Sequence, residues 1–152
     1  MNESQFVYVT YIQTTPQRLF DALISPEFTK LYWDGAWHDA DWRPGGSWRL
    51  IFPDGRVADS GEVVDYDPPN RLELRWRNEF RPALREEGYS RCVIELEPDG
   101  PVTKLTITHS MDRPGSPFIA AVSNGWPRLM ASVKTLLETG AALPTRTTGR
   151  AA

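Results

Sequence analysis

The stretch from Phe118 to Thr139 constrains this chain most, because its second half repeats at helical period. Trp126, Leu129, Met130, Val133, Leu136 and Leu137 recur at steps of three and four and share one face. Arg128, Ser132, Lys134, Thr135 and Glu138 fall on the other side. Gly140 follows as a left-handed stop, and Pro144 bars continuation. The rest of the chain reads mostly as strands. A sheet must cover its apolar face, so this helix and the sheet must pack together, and function is to be sought between them. Pro127 offers no N–H to the carbonyl of Ser123, and Ser123, Asn124 and Gly125 are cap-type residues. A bend or restart is therefore predicted there, with 118–122 as a lead-in near a cavity mouth.

The remaining elements follow from alternation and turn chemistry. Residues 5–12 are β-branched and aromatic, hence a strand. Thr14-Thr15-Pro16 and Ser25-Pro26 each set a hydroxyl cap before a proline, opening two short helices, the second ending near Leu31. Strands are expected over 39–42, 47–52, 59–66, 71–77, 90–97 and 102–109, separated by Gly/Pro/Asp turns. Alternation turns Leu72, Leu74, Trp76, Cys92, Ile94, Leu96, Leu105, Ile107 and His109 inward. Residues 78–88 read as a loop or a loosely ordered hairpin, and 141–152 as a mobile tail beyond a single domain over 1–140. Such short turns favour antiparallel pairing of neighbours. The sheet curls, and a helix in its palm leaves a gap near one end unless large side chains fill it.

Composition excludes several classes. The chain has 152 residues, a net charge of -3 and no Lys/Arg-dense stripe, which argues against nucleic acid and anionic membrane surfaces. No apolar run approaches the ~20 residues of a membrane span, and residues 1–17 lack a signal-peptide layout. A single cysteine, Cys92, excludes an internal disulfide and a Cys zinc cluster. A cytoplasmic setting is the expectation.

The residues that carry chemistry are few. His109 ends an inward-facing strand and is the candidate acid/base or ligand-bonding group, set against a strand-end histidine satisfied by backbone or water. His38 and Asp39 are adjacent in an extended segment and so point to opposite faces, which makes a poor dyad. Two histidines and one cysteine give little for a metal, so none is expected, nor any cofactor. Gly45-Gly46 reads as a turn rather than a phosphate loop. Six tryptophans are many for this length. Trp33, Trp37, Trp48, Trp76 and Trp126 are either core packing or cavity walls. The expected lining comprises these five with Cys92, Ile94, Ile107, His109, Met130 and Val133, and with Phe20, Leu23 and Tyr32 at the mouth.

The ordered set Asp41-Trp42-Arg43-Pro44-Gly45-Gly46-Ser47-Trp48, Gly61-Glu62-Val63, Asp67-Pro68-Pro69 with Arg71-Leu72, Thr103 to His109, Gly125-Trp126 and Leu136 to Gly140 resembles the SRPBCC superfamily. This is the START-like, helix-grip fold, and the branch most similar is that named after the activator of heat-shock-protein-90 ATPase. The resemblance implies an α+β fold: a seven-stranded curved antiparallel sheet around a long C-terminal helix, with two short helices after the first strand. It also implies an internal apolar cavity, and it supplies no agreed catalytic residues.

The leading expectation is a non-catalytic module that binds a small hydrophobic, aromatic or amphipathic molecule. Two alternatives stand beside it: a chaperone-ATPase-assisting or other protein-interaction module, and a cyclase- or hydrolase-type enzyme using His109. A homodimer is also left open.

Overall fold

A computed structural model describes residues 3–144. The order is β1 (Ser4–Ile12), α1 (Pro16–Ile24), α2 (Pro26–Tyr32), β2 (Trp37–Ala40), β3 (Ser47–Ile51), β4 (Val57–Asp67), β5 (Arg71–Asn78), α3 (Pro82–Arg85), β6 (Ser90–Asp99), β7 (Val102–Met111) and α4 (Pro117–Thr139). All seven strands form one antiparallel sheet in the order β1-β7-β6-β5-β4-β3-β2. Strands β2 to β7 run as a meander, with α3 in the connection between β5 and β6, and β1 closes the far edge against β7. The helix-grip α+β architecture expected from the sequence is what the chain adopts.

Two hydroxyl caps form, while Ser25 stands before α2 without a side-chain capping bond. Thr15 accepts from the Arg18 N–H at 3.2 Å, and Ser116 accepts from the Ile119 N–H at 3.1 Å. Glu87 strengthens the second start: its carboxylate accepts from the Ser116 hydroxyl and from the Phe118 N–H. Gly140 ends α4 at φ 94°, its N–H returning to Leu136 O at 2.8 Å.

Three expectations need correction. Helix α4 does not restart at Pro127; it is one element of 23 residues. Pro127 removes one N–H from the ladder and crowds the Ser123 carbonyl, but buried Trp126 and Met130 hold the helix to the core on either side. Strand β2 lies at Trp37–Ala40, not 39–42. The pairing of Ala40 with Trp48 leaves Asp41 and Trp42 in the turn, where Trp42 stacks on Tyr66 at 6.0 Å. The loop after β5 contains the four-residue helix α3.

The core is one cluster joining α1, the inner sheet face and α4. Gly61 on β4 shapes its centre. It pairs with Trp48 on one side and Trp76 on the other, and a Cβ there would lie 1.7 Å from the Arg75 carbonyl oxygen. Strands two apart are separated by about 9.6 Å, yet across this bare position the two indoles come to 4.6 Å between centroids.

Residues 141–144 double back over α4: Leu143 N–H donates to Ser132 Oγ at 3.1 Å, and Arg128 donates to Pro144 O at 2.8 Å. The tail predicted from 141 otherwise lies outside the described residues.

Candidate functional site

Aromatic rings fill most of the space between the sheet and α4. Trp33 after α2 stacks on Trp76 at 6.4 Å and meets Trp126 edge-on at 6.0 Å. Trp76 contacts Trp126 at 5.7 Å and His109 at 5.3 Å, and His109 meets Phe118 at 5.3 Å. What remains is a cleft of about 70 Å³ between the end of α2, the inner face of β4–β5, α3, and the front half of α4.

Its floor is buried: Asp59, Trp76, Asn78, Leu84, Phe118 and Trp126. Its rim is half-buried or exposed, with Leu129, Leu143 and Leu31, the last 57% exposed. Of the residues expected to line a cavity, Tyr32, Trp33, Trp76 and Trp126 border this cleft. Phe20, Leu23, Trp48, Cys92, Ile94, Ile107, Met130 and Val133 are packed in the core instead, and burial pushes the Cys92 thiol up. Trp37 is half-buried, with the Lys30 ammonium 5.6 Å from its ring centre. The inward residue of that strand is His38, while Asp39 pairs with Arg49 on the outer face.

Both histidines are held by tryptophan. Trp48 Nε1 donates to His38 Nδ1 at 3.0 Å, and Trp126 Nε1 donates to His109 Nδ1 at 3.1 Å. An indole N–H can only donate, so both Nδ1 atoms are unprotonated and neutral rings carry their hydrogen on Nε2. For His109 that hydrogen goes to Ser90 Oγ at 2.8 Å, and Ser90 in turn donates to Trp76 O at 3.0 Å. Burial lowers His38 to about 4 and His109 to about 3, so both are neutral near pH 7. His109 is 0% exposed and lies outside the cleft lining, with both ring nitrogens occupied. The arrangement aligns two indoles and a strand.

The polar group that does reach the cleft is Asp59, overlooked in the sequence. It sits opposite Asn78 in the β4–β5 ladder and next to Trp76 on the same face. Only 4% is exposed. Burial raises its carboxyl to about 7; the Trp76 indole opposes the rise, nearby Glu79 adds to it, and Arg81 opposes it. Trp76 Nε1 is itself buried and reaches no acceptor at hydrogen-bond geometry. No sequence signal marked it: Ala58 and Asp59 are both buried where the β3–β4 register shifts, so strict alternation fails there. Among the described residues, no group of three or more His, Cys, Asp or Glu converges as a metal site.

A family model described as "Activator of Hsp90 ATPase homolog 1-like protein" matches residues 13–138, most of the chain. The chain belongs to that family. Solved structures agree on the fold. Protein MLL2253 from Mesorhizobium loti superposes with a TM-score of 0.75 at 23% identity, covering 89% of this chain and 97% of its own. An HSP90 activator from Plasmodium falciparum, PFC0360w, gives 0.72 at 20% identity, covering 88% and 96%. The Aha1 dimer from Colwellia psychrerythraea gives 0.70 at 18% identity, covering 90% and 98%. No curated protein sequence matches the chain. No helix among the described residues is long and apolar enough to cross a membrane.

Proposed function

We propose that this family member is a binding module whose cleft takes a small apolar or amphipathic molecule. The observation that carries the reading is an aromatic-walled opening whose buried floor holds a carboxyl and an unpartnered indole N–H. Ligand sites are typically apolar concavities with a few converging polar groups. The cleft is narrower than the ~300–1,000 Å³ of drug-sized sites, which favours a small guest. Native mass spectrometry of protein purified without ligand-stripping, with saturable quenching of tryptophan fluorescence by small aromatics, tests it. Absence of both overturns it. One buried, unpaired cysteine fits a cytoplasmic setting.

A second reading, assistance to a chaperone ATPase, is favoured by the family description and by the Plasmodium falciparum relative. Stimulated ATP turnover by an Hsp90-type chaperone would support it, and an unchanged rate would remove it. Light scattering of the same samples decides whether the chain dimerises.

A further inference from the structure

We propose that the cleft receives a small organic cation, a protonated amine bearing a short aromatic or alkyl group. Its ammonium sits on the Asp59 carboxylate among the rings of Trp33, Trp76 and Trp126, and its apolar body lies at the rim. This rests on the cleft being a binding site and specifies what enters it.

A carboxylate withdrawn from water is costly unless paired. Among the described residues Asp59 enters no ion pair; the Trp76 indole and the Arg81 guanidinium are the groups that favour its charged form, and neither is bonded to it at hydrogen-bond or ion-pair geometry. Asn78, its cross-strand neighbour, uses Oδ1 within its own turn, accepting from the Arg81 N–H at 2.8 Å. The missing partner is a cation, and the walls suit one. Indole faces attract ammonium groups through their quadrupoles, and Trp33, Trp76, Trp126 and Phe118 all border the cleft.

The surrounding charges agree. Besides Asp59 the lining holds Asp34 near the end of α2 and Arg128 on α4, two carboxylates to one guanidinium, and Arg128 is turned onto Pro144 O. Behind the floor, Glu79 and Arg81 act on Asp59 in opposite directions. About 70 Å³ accommodates an ammonium head and little more, so the apolar body extends toward Leu31, Leu129 and Leu143.

The test compares benzylamine with its near-isostere benzyl alcohol, using tryptophan fluorescence and ligand-observed NMR on the full chain. Benzylamine is expected to bind roughly tenfold or more tightly than the alcohol at about pH 8, as a charge-assisted hydrogen bond predicts. Its affinity should fall as the pH drops to about 5 and Asp59 takes up a proton. Asp59→Asn should abolish the preference while the alcohol still binds. If the alcohol binds as well as the amine, or Asp59→Asn leaves the preference intact, the cation proposal is wrong and the cleft reading survives. If neither probe binds the wild-type protein, both fail.

Discussion

The indole N–H of Trp126 ends on Nδ1 of His109, 3.1 Å away, and so fixes the tautomer of a fully buried imidazole. From there a chain of donors runs through Ser90 to the carbonyl of Trp76. It ties α4 to β7, β6 and β5 beneath the cleft.

His109→Ala removes that link, orphans the Trp126 N–H and leaves a hole. A loss of about 2–4 kcal/mol in unfolding free energy is expected from urea denaturation. A loss below about 1 kcal/mol would show that the donor chain does little for stability. Because the imidazole lies outside the cleft, ligand affinity per folded molecule should change far less than with Asp59→Asn.

Acid should destabilise the protein along a predictable slope. His38 and His109 are lowered to about 4 and about 3 from 6.5, so between about pH 6 and 5 the unfolded chain binds two protons the native one refuses. Asp59, raised from 3.8 to about 7, works the other way: the native state holds one proton the unfolded chain has released. The net is one proton, a loss of about 1.4 kcal/mol per pH unit as pH falls through this window. Asp59→Asn removes the opposing contribution and should steepen the slope to about 2.7 kcal/mol per unit. Parallel slopes for the two proteins would refute the raised carboxyl.

Gly61→Ala places a methyl group against the Arg75 carbonyl oxygen and separates β4 from β5. A destabilisation of about 2–4 kcal/mol is expected. Near-ultraviolet circular dichroism should also lose the Trp48–Trp76 signature. An unchanged spectrum would mean that the indoles meet without help from the bare position.

Ala121→Trp fills the cleft from α4 without touching its floor. Probe binding should vanish while thermal stability stays within a few degrees of wild type, since the site is half-buried and open at the rim. Retained binding would place the ligand elsewhere.

Much of the architecture was legible because each local signal agreed with the global fold. Strands β5, β6 and β7 alternate cleanly, two proline-opened helices carry hydroxyl caps, and α4 shows its stripe. The cleft was less legible because it forms where α2, β4–β5 and α4 converge. Alternation turns Trp76 and Cys92 to the same face, but it does not say that one borders an opening and the other lies under packed side chains. Asp59 was not legible because Ala58 and Asp59 are both buried, where the β3–β4 register shifts between Leu50 and Ile51 and passes over Ala58. Periodicity is least informative along such a strand. Trp37 was expected to line the cavity; because β2 begins at Trp37, alternation gives the core-facing place to its neighbour His38.

Helix α4 does two jobs in sequence order. Its back half, through Met130, Val133, Leu136 and Leu137, is buried against the core. Its front half offers Ala121, Val122, Gly125 and Leu129 to the cleft, all of them only half-buried. Phe118 and Trp126 serve both purposes, but the half-buried positions 121, 122, 125 and 129 border the opening without belonging to the fully buried core. A library randomised at positions 121, 122 and 129 can explore new guests while the scaffold keeps its anchorage, which makes this small domain a tractable starting point for engineered receptors.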